Sequence, residues 1–273
     1  MKIAFTTCVQ LGRSCIEKIL EMGGKLDLLI TLKDERARNK SGRVYIDDIA
    51  RDHNIPLLKI DNVNEPLAIQ TIRDMGIDWL FIIGWSQIAR PELLAVPTRG
   101  CIGMHPTLLP KGRGRAAIPW AILKGLNKTG VSMFRMDSGV DTGDILGQVE
   151  IPMPDTITAT ELYEMVDAAH ITLLETYWED IVKDTIRTQP QDHSQATIWE
   201  GRRPEDGELF STMTMVEADR MVRAVTHPYP GAFYRQDGQK IIVWSAEVGT
   251  KEREGAFRLV DGWLYPVKTE VEG

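Results

Sequence analysis

The alternation of apolar and amphipathic runs over the first hundred residues constrains the fold more than any other feature. "KIAFTT", "LDLLITL", "IPLLKI", "DWLFIIG" and "CIGMHP" are short, aliphatic and aromatic, and read as strands. Between them, "GRSCIEKILEMG" sets Cys15, Ile16, Ile19 and Leu20 on one helical stripe and stops at Gly23–Gly24. "VYIDDIARDHN", "EPLAIQTIRDMG" and "PELLAVP" repeat the helical pattern, and "KDERARNKSGR" reads as a charged loop. Strands alternating with helices imply a mainly parallel sheet covered on both faces. Ligands in such sheets lie outside the carboxyl ends of the strands. The first strand–helix turn, "TTCVQLGRS", has one glycine and lacks the G-x-G-x-x-G phosphate fingerprint. A nicotinamide-dinucleotide site is therefore not expected, although the sheet is Rossmann-like.

Further along, "AAIPWAILKG" reads as a helix, "KTGVSMFRM" as a strand, "DSGVDTGD" as a turn-rich loop and "ILGQVEIPM" as a strand. A long helix follows, opened by a capping box at Thr158 and Glu161. The polar, Pro-bearing "RTQPQDHSQATIWEGRRPEDGE" reads as a linker. After the helix "MTMVEADRMVRAV" come short alternating runs that suggest a small β-rich domain. The expected architecture is α/β, with a core over residues 1–188 and a linker, helix and small β domain over 189–273.

A net charge of -7 argues against a general nucleic-acid binder, which needs a basic face. Cys8, Cys15 and Cys101 match no zinc or redox spacing, and their odd number suits reduced thiols in the cytoplasm. The five histidines form no ligand-spaced cluster, so no metal is expected. No leader is read at the N-terminus, and no apolar run approaches the ~20 residues that cross a membrane.

Chemistry concentrates in "CIGMHPTLLPKGRGR". It puts His105 at the end of a strand, where ligands of such a sheet lie. The loop "MDSGVDTGD" adds Asp137, Asp141 and Asp144. Turns use Asp for backbone hydrogen bonds, which accounts for at least one of them. Asp141 is placed to approach His105, and a carboxylate beside an imidazole fixes its tautomer and stabilises its protonated form.

"HPTLLPKGRGRAAIPWAI" followed by "TGVSMFRMDSGVDTGDIL" resembles the formyltransferases that use 10-formyltetrahydrofolate. The resemblance runs from Met1 to roughly Asp184. It continues in "ATIWEGRRPEDGE", "MVRAVTHPYPGAF" and "KIIVWSAEV", which resemble the second, OB-like domain of methionyl-tRNA formyltransferases and, more closely, of sugar-nucleotide N-formyltransferases. It implies transfer of a formyl group to an amine. The family's catalytic His and Asp map onto His105 and Asp141. Its Asn falls where this chain has Gly103, so a water, a backbone N–H, Ser86 or Gln87 is expected to supply the lost oxyanion donor.

The resemblance further implies that Trp85, Gln87 and Ile88 hold the folate, closed over by Ser138, Gly139 and Val140. Packing alone accounts for Trp85 equally well. Arg113, Arg115, Arg202 and Arg203 are candidate grips on a nucleotide diphosphate, solvated surface charge being the alternative. Tyr229 and Phe233 are candidate base-stacking residues, or parts of a rigid connector. The implied acceptor is a small nucleotide-linked amino sugar. Methionyl-tRNA, a formyl-folate hydrolase and a non-enzymatic binding module are the alternatives. A homodimer is compatible by analogy only.

Overall fold

The computed structural model describes residues 1–37 and 42–272. Part of the charged loop read from "KDERARNKSGR" lies outside the described residues. The chain forms two compact units. Unit 1 comprises Met1–Gly114, Gly130–Ile151 and Val166–Ile198, and unit 2 comprises Arg115–Thr129, Pro152–Met165 and Trp199–Gly273. The boundary at residue 188 read from the sequence falls inside the last segment of unit 1, because the units interleave along the chain.

Unit 1 is built on a seven-stranded sheet. Its strands are β1 (Ile3–Thr6), β2 (Leu28–Leu32), β3 (Leu57–Ile60), β4 (Trp79–Ile82), β5 (Gly100–His105), β6 (Lys128–Arg135) and β7 (Ile145–Pro152). Their order is β3-β2-β1-β4-β5-β6-β7. The pairs β1–β2, β1–β4, β2–β3 and β4–β5 are parallel, and β5–β6 is antiparallel. β1, β2 and β4 are buried along their whole length, which explains why they read as unbroken apolar runs. The strand order reverses between β1 and β4. This is the switch point outside which ligands of such sheets bind.

Helix α1 (Gln10–Glu21) buries Leu11, Cys15, Ile16 and Ile19. α2 (Pro66–Met75) starts on a proline and ends at Gly76 in the left-handed region. One sheet face packs Ala4, Leu28, Ile30, Leu80, Ile82 and Cys101 against Ala68 and Ile72 of α2. On the other, Phe81 stacks on Phe5 at 5.5 Å and meets Trp178 at 6.1 Å.

In unit 2, α3 (Ala117–Leu123) precedes the long helix α4 (Ala159–Lys183), which belongs to this unit as far as Met165. The capping box forms: Glu161 accepts from the N–H and hydroxyl of Thr158. A second box, Thr214 with Glu217, opens α5 (Met215–Val225). The strands of its sheet are β8 (Ala232–Gln236), β9 (Gln239–Gly249), β10 (Phe257–Arg258) and β11 (Trp263–Glu272). They make an antiparallel sheet in the order β8-β9-β11-β10. Among the described residues no helix is long and apolar enough to cross a membrane.

His170 lies on the part of α4 that belongs to unit 1 and is 1% exposed. Its Nδ1 lies 2.7 Å from the Val166 carbonyl, which only accepts, so Nδ1 carries the proton of a neutral ring. Burial pushes its pKa down to about 4. Between pH 6.5 and 4 the unfolded chain binds a proton at this residue that the folded chain refuses. Stability therefore falls as pH drops through that window, by about 3 kcal/mol from this residue. Urea unfolding measured from pH 7 to 4 will show this component, and His170→Leu will remove it.

Candidate active site

Strand alternation sends Gly103 and His105 to one face of β5 and Ile102 and Met104 to the other. Across the antiparallel ladder Gly103 pairs with Phe134 and His105 with Ser132. Ser132 is wholly buried and organises the chain beyond His105. Its hydroxyl donates to the Thr107 carbonyl at 2.7 Å and accepts from the Leu109 N–H at 2.9 Å. His105 is thus a buried side chain at a strand end with a fixed exit.

Both imidazole nitrogens have oxygen neighbours. Nε2 lies 2.7 Å from the Gly112 carbonyl, so Nε2 carries the proton. Nδ1 then holds the lone pair, 3.6 Å from Asp141 Oδ2. Adding a proton at Nδ1 yields an imidazolium with an acceptor at each end. The same Asp141 oxygen accepts from the Gly114 N–H at 2.9 Å. Gly112 to Gly114 therefore runs between the two side chains, fastened to one by a carbonyl and to the other by an N–H. Thr197 pins this segment, its hydroxyl accepting from the Gly112 N–H and its carbonyl from the Arg113 N–H.

The loop after β6 delivers Asp141. Asp137 Oδ1 accepts from the Gly139 N–H at 3.0 Å and from the Thr142 hydroxyl at 2.6 Å, so this carboxylate serves the turn. Asp144 Oδ2 accepts from the Thr188 hydroxyl. Asp141 alone of the three faces His105. Its backbone sits at φ +54°, a left-handed conformation that Asp tolerates better than most residues. Gly143 lets the loop return, because a Cβ there would lie 1.7 Å from the Arg135 carbonyl oxygen.

The space beside Gly103 is occupied. A Cβ there would stand 3.0 and 3.1 Å from two ring carbons of Phe134 and 3.2 Å from Met136 Cγ. The ring of the cross-strand partner thus covers the position where the resemblance expects an amide. The Gln87 carboxamide, one of the substitutes anticipated, is committed elsewhere. It accepts from the Val63 N–H and the Trp85 indole N–H, and donates to the Asp61 carbonyl. Gln87 therefore ties the segment after β4 to the segment after β3. Trp85 packs against the core beneath it, whereas Ile88 is exposed. Ser138 and Gly139 are exposed in the loop that ends at Asp141, as is Val140.

Arg113 departs from the expected phosphate grip. It is 6% exposed, and its guanidinium turns inward to Gln191 Oε1 at 2.6 and 3.2 Å and His193 Nδ1 at 3.0 Å. Unit 2 holds Arg115, Arg202, Arg203 and Tyr229. The Arg202 guanidinium lies over the Trp120 ring at 5.1 Å and donates to the Asp206 carbonyl. Arg203 and Arg115 are both exposed. Tyr229 is half-buried, and desolvation pushes its hydroxyl pKa up. Phe233 is 3% exposed beneath Lys240 and Arg235, so its ring packs within the protein and offers no face to a base.

Sequence reasoning missed Gln191 and Thr197, which sit in the stretch read as a linker. Among the described residues no group of three His, Cys, Asp or Glu could hold a metal ion.

At the end of β5, a buried His105 faces the half-buried Asp141, an arrangement that can take up and release a proton. Comparison with known proteins supplies the class. The formyl transferase family matches residues 21–177, and the formyl transferase C-terminal domain matches 202–265. The chain belongs to this family and is a formyl-transferring enzyme. It is 30% identical over 250 residues to a methionyl-tRNA formyltransferase of Agathobacter rectalis, covering 91% of this chain and 80% of that protein. In fold it resembles an N-formyltransferase from Helicobacter canadensis, solved in complex with folinic acid and dTDP-3-aminofucose. The TM-score is 0.73 at 17% identity, covering 99% of this chain and 100% of that one. It also resembles the methionyl-tRNA formyltransferase of Clostridium thermocellum, with a TM-score of 0.66 at 18% identity and coverage of 100% and 98%.

The packing around Gly103 generates a prediction. Gly103→Asn will lose about 1–3 kcal/mol of stability by overpacking against Phe134 and will not raise activity. Adding Phe134→Leu will recover part of the loss. Urea titration of the three variants measures it, and full stability of Gly103→Asn alone would contradict the packing described.

Proposed function

We propose that this enzyme moves a formyl group from 10-formyltetrahydrofolate to the amine of a nucleotide-linked amino sugar. The observation that carries the reading is the pairing of buried His105 with half-buried Asp141, with a protonated Nε2 and the Nδ1 lone pair facing the carboxylate. The acceptor nitrogen attacks the formyl carbon, and the carbonyl oxygen becomes a tetrahedral oxyanion. His105 Nδ1 takes the proton that the amine loses. The resulting imidazolium is held between the Gly112 carbonyl and the Asp141 carboxylate. His105 then returns that proton to the folate nitrogen as its bond to the formyl carbon breaks, leaving a formamide and tetrahydrofolate. Such proton transfer contributes typically 10²–10⁴-fold to rate.

The oxyanion needs a donor, and Gly103 has no side chain to give one. Ser86, the second amide N–H of Gln87, a backbone N–H or a water fills that role in this reading. Trp85 and Ile88 on one side, and Ser138, Gly139 and Val140 on the other, form the folate site in this reading. Arg115, Arg202, Arg203 and Tyr229 are its acceptor-side residues.

Charge supports a compact acceptor. Residues 199–273 carry thirteen Asp and Glu against ten Lys and Arg, a poor surface for a large polyanion. The 30% identity to a methionyl-tRNA formyltransferase favours the second reading, transfer to methionyl-tRNA.

The two separate in one assay. The purified enzyme is given 10-formyltetrahydrofolate with dTDP- or UDP-linked amino sugars, with methionyl-tRNA, or with no amine, and product is followed by mass spectrometry. Formylated sugar nucleotide is the expected product. Preferential formylation of methionyl-tRNA would overturn the acceptor assignment, and release of formate without any amine would replace transfer by hydrolysis.

A further inference from the structure

Gln191 lies in the polar stretch between the two family domains, yet it is 6% exposed. Its carboxamide is fully used. Nε2 donates to the Asp141 carbonyl at 2.9 Å and the Gly143 carbonyl at 2.6 Å. Oε1 accepts from Nε and Nη2 of Arg113. Two N–H groups and two lone pairs are all a carboxamide has. On one side it holds the loop that carries Asp141. On the other it holds the residue between Gly112, which accepts from His105, and Gly114, which donates to Asp141.

We propose that Gln191 is a positioning residue for the formyl-transfer reaction, holding Asp141 against His105 through the Asp141 and Gly143 carbonyls while Arg113 locks its own orientation. The backbone of Asp141 gives the brace its purpose. Its φ of +54° lies outside the extended and right-handed regions that hold most residues, and the brace keeps the loop there. Bonds to the carbonyls of residues 141 and 143 fix the two peptides that flank the turn. Arg113 takes the same part from the other segment. Its guanidinium sets which way the Gln191 amide faces.

The inference rests on His105 and Asp141 being the working pair, so its test has an arm that needs no turnover. Two variants of the full chain are compared with Asp141→Asn. Gln191→Met keeps the volume and removes all four bonds. Gln191→Glu keeps an acceptor for Arg113 and sets a carboxylate oxygen against two carbonyls. Long-range ¹H–¹⁵N spectra report the ring nitrogens of His105, and steady-state assays report kcat and KM for the formyl donor. Both Gln191 variants are expected to move the His105 signals in the direction that Asp141→Asn moves them. They should lower kcat at least tenfold with KM within twofold and melting within a few degrees of the parent. His105 signals that stay at their parent positions in both variants would overturn the brace. Signals that move while kcat holds would support the brace and overturn the role given to Asp141.

Discussion

The carbonyl of Gly112 decides what His105 can do. It can only accept, so it holds the proton on Nε2 and leaves Nδ1 to face Asp141. Two residues on, the Gly114 N–H fixes the carboxylate oxygen that Nδ1 faces. One short segment therefore sets the tautomer of the base and the direction of its partner. Thr197 holds this segment from one side, and Arg113 with Gln191 from the other. Preorganised dipoles of this kind cost no reorganisation when charge develops in the reaction.

The parallel core was legible because its strands are buried on both faces and so appear as unbroken apolar runs between amphipathic helices. The strand end that bears His105 was legible for the same reason; the loop that bears Asp141 was legible from its Asp and Gly turn pattern and the family resemblance instead, because β6 runs antiparallel to β5 and ends beside the start of that strand. The rest of the site was not. Gln191 meets Asp141 across fifty positions of sequence and Arg113 across seventy-eight, from a stretch whose Pro and polar composition reads as a connector. No periodicity marks a single polar side chain that turns inward. Arg113 misled for a related reason. Three basic residues in "KGRGR" suggest surface charge, and only the fold shows that one of them is buried.

Gly103 illustrates how a departure at one position is answered at another. The missing side chain leaves no void, because Phe134 on the neighbouring strand lays its ring across the gap. The site is thus repacked and apolar where a polar donor was expected.

The pair is tested most directly by a double-mutant cycle in formyl transfer with His105→Gln and Asp141→Asn. Groups that act as a unit are strongly non-additive. If Asp141 works by serving His105, the double variant will be no slower than His105→Gln alone. If the two losses multiply in full, the residues act independently, and the proton-transfer unit described here does not exist.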